Sequence, residues 1–152
     1  MLNFKHWFLL KEAEEALTLF HGCTTHSAQN ILANQLQDRS AFDIATNMSG
    51  EFWATTNYPY ASLMAMMPGY DPPTEENPPV VLKFNLPLSA LQRMKRSWYE
   101  THGQGTYEFS DKAFNFLNRN IVKGSWQLMP LESAAAAKWQ AELRKQAIPA
   151  VA

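Results

Sequence analysis

Hydrophobic and polar positions along this chain follow two alternating periods. Around residues 17, 51, 79 and 106 they alternate one by one, the pattern of a strand with one buried face. Between these stretches they recur at three- and four-residue spacing, as on one side of a helix. The clearest strand is PVVLKFNLP (79–87), where Val80, Leu82, Phe84 and Leu86 alternate with Val81, Lys83 and Asn85. Leu17–Gly22 reads as a strand with Leu17, Leu19 and His21 on one face and Thr18 and Phe20 on the other. Glu51–Thr56 and Thr106–Phe109 are shorter strands, and Ser125–Leu131 is a last candidate.

The helical stretches come between. Residues 4–16 predict an amphipathic helix that packs on the domain. After Gly22, Thr25 or Ser27 can cap a helix whose Ala28, Ile31, Leu32 and Leu36 share a face. Asn57 and Pro59 open a helix over Tyr60–Met67, since Asn caps well and Pro suits the first turn. Leu88–Trp98 reads as one helix with basic residues in its last turns, where the helix dipole favours them. Ser110 caps a helix over Asp111–Asn118, and residues 132–147 form an Ala-rich helix with Ala136, Trp139 and Leu143 on one side. Residues 37–50 and the proline-rich 68–79 read as loops, because Pro neither continues a helix nor serves a central strand. HGQGT (102–106) is a Gly-rich turn ahead of a strand.

Alternating strands and helices suggest a parallel α/β sheet. No GxGxxG or GxxxxGK[ST] phosphate loop follows any strand, and a mixed or antiparallel α+β sheet fits equally well. The 152 residues suit one domain, 1–152, with helices 4–16 and 132–147 as flanking elements. Apolar residues make up 46%, with nine Phe and five Trp, enough for one core. Charged residues are 18% and the net charge is −1, so no long-range field draws nucleic acid or an anionic membrane. The single cysteine, Cys23, excludes an internal disulfide and fits a reducing compartment. Trp7–Leu10 is too short an apolar run for a signal peptide or a membrane span.

Some of these residues can carry chemistry. His21 ends a strand beside Gly22, whose missing side chain lets a ligand approach the backbone; a histidine filling a polar gap is the plainer reading. Glu108 lies between Tyr107 and Phe109, so if the aromatics face the core the carboxylate faces the other side. There it can stabilise positive charge on a sugar carbon as a glycosidic bond breaks. Phe52 and Trp53 point to opposite faces, and either could stack on a flat cationic ring. Thr55 and Thr56 can bond a ligand or the nearby backbone. His21, Cys23, His26 and His102 match no usual zinc spacing, so no metal ion is expected from them. Cys23 with a histidine is a weaker candidate for a nucleophile pair, and Glu75 and Glu76 are most simply solvated.

In order, LFHG followed by the helix SAQNILANQL, then GEFWATTN, PVVLKFNLP and TYEFS resemble the motif series of the ADP-ribosyltransferase superfamily, in its His–aromatic–Glu branch. The resemblance covers about residues 17–122. It implies an α+β domain with a split, mixed or antiparallel β-sheet and an NAD cleft between the halves. It implies that His21 binds the adenosine ribose of NAD and the Gly22 backbone the nicotinamide amide. Phe52 would stack on nicotinamide with Trp53 sharing the role, and Thr55 would line the cofactor site. Glu108 would be the catalytic carboxylate, bonding the nicotinamide ribose as nicotinamide departs. The activity implied is transfer of ADP-ribose from NAD to an unknown acceptor, protein or nucleic acid. Water as acceptor would make the protein an NAD glycohydrolase, and loss of chemistry would leave a binding module with the same fold. Phe52 stands where the family usually has Tyr. Thr106 stands two residues before Glu108, so the Glu-x-Glu pair of arginine modification is absent. Glu132 is the fallback carboxylate. By analogy with small members of the family, the expected setting is an effector or toxin, cytoplasmic or delivered into a target cell.

Overall fold

The computed structural model describes residues 15–37, 51–67 and 72–147. Strand β1 (Ala16–Thr24) leads into helix α1 (Thr25–Asn34), and β2 (Glu51–Thr55) into α2 (Tyr58–Ala65). Then come β3 (Pro79–Pro87), α3 (Leu88–Arg93), β4 (Tyr99–Thr101), β5 (Thr106–Ser110), α4 (Phe114–Asn120), β6 (Gln127–Met129) and α5 (Ser133–Ala147). Residues 4–14 of the expected N-terminal helix lie outside the described residues, as do 38–50 and 68–71 of the expected loops. Ala16, placed at that helix's end, instead opens β1.

The six strands form one sheet in the order β4-β5-β2-β1-β3-β6. Every pairing is antiparallel, which resolves the choice between parallel and antiparallel readings. β1 and β3 are in register along their whole length, Ala16 opposite Pro87 to Thr24 opposite Pro79. β2 and β5 pair from Glu51–Ser110 to Thr55–Thr106. Between β1 and β2 only Phe20 and Thr55 are in register. The sheet therefore consists of two well-paired halves joined along a thin seam.

Residues paired across strands share a face, and faces alternate along each strand. On one face Leu19, Phe52, Ala54, Leu82, Phe84, Leu86 and Phe109 meet α1, α3 and α4 through Ile31, Leu91 and Leu117. Phe52 and Phe84 touch at 5.9 Å, and Phe84 meets Trp126 at 4.6 Å. Each such ring or aliphatic chain, removed from water, contributes roughly 1.5–3 kcal/mol. On the other face Val81 and Phe20 meet α2 and α5 through Ala61, Ala65, Ala135 and Trp139. That second cluster covers β1, β3 and β6 and leaves the β2–β5–β4 half of its face to polar side chains.

Local chemistry sets the element ends. Thr24, one residue before the expected caps, accepts from the Ser27 amide. Leu32, expected on the buried side of α1, is exposed. Asn57 caps α2 as expected by accepting from Tyr60, and the helix starts at Tyr58 with Pro59 in its first turn. The long helix expected over 88–98 stops at Arg93, because Met94 turns to extended backbone and buries its side chain. A 3₁₀ turn at Arg96–Trp98 then feeds β4, a strand the sequence pattern did not reveal. Ser110 makes no capping bond; a 3₁₀ turn, Asp111–Ala113, precedes α4. No helix among the described residues is long and apolar enough to cross a membrane.

Gly22 allows α2 to lie directly on β1. A Cβ there would collide with the Ala61 carbonyl oxygen and sit 2.7 Å from the Ala65 amide nitrogen. Both are helix backbone, which cannot step aside as a flexible side chain can. Gly22→Ala is expected to cost about 2 kcal/mol or more, by overpacking, read as a lower urea midpoint. An unchanged midpoint would show that α2 does not rest on Gly22.

Candidate functional site

The polar half of the second face is built by register. Trp53 on β2 stands opposite Glu108 on β5, and Glu108 stands opposite Glu100 on β4. Glu51, two residues before Trp53, shares this face and is hydrogen-bonded to Glu108. The β4–β5 turn carries His102 over the same surface. Its amide donates to the Thr106 carbonyl, and the Thr106 amide donates to the Gly103 carbonyl. Gly103, Gln104 and Gly105 all have positive φ, which explains two glycines in the turn.

Three contacts define the centre. The His102 ring stacks on the Trp53 ring with centroids 4.5 Å apart. His102 Nε2 lies 3.8 Å from Glu108 Oε1 and 3.8 Å from Glu100 Oε2. Only 16% of the Glu108 side chain is exposed, against 72% for Glu100. Burial, then the bond and charge of Glu51, then the charge of Glu100 hold the Glu108 carboxyl above the usual carboxylate range, with His102 opposing them. Two pockets flank this centre. One of about 150 Å³ is lined by Glu51, Tyr99, Glu100, Glu108 and Ser110. The other, about 310 Å³, lies between the start of α2 and the β4–β5 turn, against Tyr60, His102 and Gln104.

His21 leaves the sheet on the opposite face. Its Nδ1–H donates to the Trp53 carbonyl at 2.6 Å, across the seam where β1 and β2 have ceased to pair. A carbonyl only accepts, so Nδ1 carries the hydrogen and Nε2 is left an acceptor. The ring also lies on Phe52, centroids 4.2 Å apart. Desolvation in this setting pushes the His21 pKa down to about 4, although its bond to Trp53 works the other way. His21 and Glu108 therefore do not line one surface. They meet through Trp53, whose backbone holds the histidine while its side chain stands beside the glutamate.

The other expected site residues fall elsewhere. Phe52 is fully buried and offers no face to a ligand, so of the two aromatics only Trp53 has a ring on the polar side. Thr55 is buried as well; its Oγ1 accepts from Thr106 Oγ1 and from the Asn57 amide, so it serves the turn rather than a cofactor. Gly22 has α2 against it. Glu132, the fallback carboxylate, accepts from the Ala134 and Ala135 amides and from Ser133 at the start of α5. Those bonds, that of Ala134 foremost, lower its pKa. His26 is exposed on α1, so the His21–Cys23–His26–His102 group does not assemble. Glu51, Glu100 and His102 are the additions: each is near Glu108 only through strand pairing or the hairpin turn.

The His21 shift makes a testable statement about stability. The folded pKa is depressed below its ordinary 6.5, so the fold favours the neutral ring. Its contribution is fully present above pH 6.5 and is lost as pH falls toward 4. The shift corresponds to roughly 3 kcal/mol, at about 1.4 kcal/mol per unit. His21→Asn keeps a donor for the Trp53 carbonyl and removes the titration. Urea midpoints between pH 6.5 and 4 should fall more steeply for the parent than for this variant; parallel curves would count against a buried neutral His21.

Protein-family models, curated proteins and solved structures alike give no match to this chain.

Proposed function

We propose that the protein binds NAD on the Trp53–Glu108 surface and transfers its ADP-ribose to an acceptor, releasing nicotinamide. This is the ADP-ribosyltransferase reading that the motif order implies. The observation that carries it is the cross-strand pair of Trp53 and Glu108. Directly opposed side chains start about 5 Å apart at Cβ, so a flat ring on Trp53 brings its ribose to the carboxylate. Nicotinamide in NAD is cationic, and an aromatic face attracts it. As the bond from ribose C1′ to the ring nitrogen breaks, positive charge spreads over C1′ and the ring oxygen. Glu108 as carboxylate stabilises that charge, and the electron pair leaves with nicotinamide.

Other features support the reading. The thin β1–β2 seam within the single sheet is compatible with the split sheet of this reading. The bond from His21 Nδ1 to the Trp53 carbonyl holds Trp53 in place from behind. His102 occupies one face of the Trp53 ring in the free protein, and nicotinamide takes that place as the glycine-containing turn moves aside. The acceptor enters from the larger pocket beside that turn.

Incubation with NAD should release nicotinamide, and Glu108→Gln should lower kcat by about 100-fold or more, the usual loss when a transition-state charge loses its partner. Trp53→Ala should act mainly on KM. The rate should rise with pH as Glu108 ionises, and the acid limb should lie above the usual carboxylate range. Glu51→Gln removes a like charge and offers an amide donor to the Glu108 carboxylate, so it should move that limb to lower pH. Absence of both nicotinamide and labelled lysate products would overturn the enzyme reading. Nicotinamide without labelled products would identify water as the acceptor.

A further inference from the structure

We infer that Glu100, His102 and Glu108 form a binding site for one divalent transition-metal ion of the Zn²⁺ or Mn²⁺ class. One ligand atom from each, two carboxylate oxygens and an imidazole nitrogen, all lie within 4.8 Å of one another. Two of the three separations are 3.8 Å. An ion about 2.0–2.2 Å from each donor needs them roughly 3.0–3.5 Å apart, a gap that small side-chain rotations close.

The framework already aims the donors inward. Glu100 and Glu108 are register partners on adjacent strands, where like charges repel unless something positive lies between them. His102 is the only ion-pair partner of either among the described residues. Its ring is braced on Trp53 and its backbone on Thr106, so Nε2 is held toward the carboxylates.

A second observation points to a polar occupant. Ser110 Oγ is buried with no hydrogen-bond partner, and Ser110 lines the same 150 Å³ pocket as Glu51, Glu100 and Glu108. An orphan buried hydroxyl costs about 1–3 kcal/mol. Rotation of the Ser110 side chain into this pocket would let water held on an ion become its partner. The donor set decides the class of ion. Imidazole with carboxylate suits Zn²⁺ or Mn²⁺, whereas Mg²⁺ and Ca²⁺ take oxygen ligands.

The inference does not need the NAD reading, but it bears on it. An ion would engage the Glu108 oxygens that the ribose requires and would pin His102 on Trp53. Metal and NAD would then exclude one another.

The test is calorimetric titration of the chelator-treated chain with ZnCl₂, and separately with MgCl₂, without NAD. One saturable Zn²⁺ site at micromolar concentration is expected. His102→Ala and Glu108→Gln should each weaken it about 10–100-fold, with far-UV circular dichroism unchanged, while the exposed His26→Ala leaves it intact. Imidazole NMR resonances of His102, and not of His26, should shift on stoichiometric addition. No saturable binding, binding indifferent to both site substitutions, or Mg²⁺ bound as tightly as Zn²⁺ would each overturn the assignment. Zn²⁺ binding in a protein that never releases nicotinamide would refute the NAD reading alone.

Discussion

Among the described residues, the two halves of the sheet pair in register at Phe20 opposite Thr55, and the His21 side chain bonds the Trp53 carbonyl and packs on Phe52 across the same seam. Elsewhere β1 and β2 are committed outward, β1 to β3 and β2 to β5, by long ladders. The histidine bond therefore does at the seam what a second backbone pair would otherwise do. Desolvation favours the neutral ring, although the bond itself favours the charged one. Because Trp53 is the acceptor, the bond also fixes the strand that presents the tryptophan to Glu108. Fold and candidate site share this contact.

The two faces divide the labour. The face carrying Phe52, Phe84 and Phe109 is covered by three helices and holds the larger cluster. Among the described residues, the opposite face is covered only where α2 and α5 rest on β1, β3 and β6. Gly22 makes that possible by letting α2 touch the strand backbone. Because those helices sit over one half, the β2–β5–β4 half keeps its polar residues on pocket walls. Gly22, expected to meet a ligand, thus shapes the site from a distance by placing the helix that borders it.

Much of this was legible in the chain because it is local. The alternation in PVVLKFNLP gives the bounds of β3 to the residue, and Asn57 marks the start of α2. The opposite facing of Phe52 and Trp53 also followed from alternation. Which of the two lay in the core did not, because that depends on where distant helices settle. β4 was hidden because Tyr99, Glu100 and Thr101 are too few to show a period, and the basic residues before them suit a helix end. The groups around Glu108 were illegible for a different reason. Glu51, Glu100 and His102 lie up to 51 positions apart and converge only when β2, β5 and β4 pair in register.

That convergence sets like charges against one another on opposed strands. Three carboxylates and one imidazole share a small area, and Glu51 and Glu100 both push the Glu108 carboxyl above the usual carboxylate range. A purely structural surface would gain by replacing any one of these acids with a neutral residue, since like charges on opposed strands destabilise the pair. Stability therefore gives no reason for the cluster. A positive partner does, whether a proton, a metal ion or the charge that appears on a sugar carbon as a glycosidic bond breaks. All three are served by one arrangement: a largely buried carboxylate flanked by acids, next to an aromatic ring whose position is fixed from behind. Burial and the neighbouring acids favour the protonated form of Glu108, and each of the other two partners needs its carboxylate. pH thus enters any binding at this centre in the same sense, with acid opposing it.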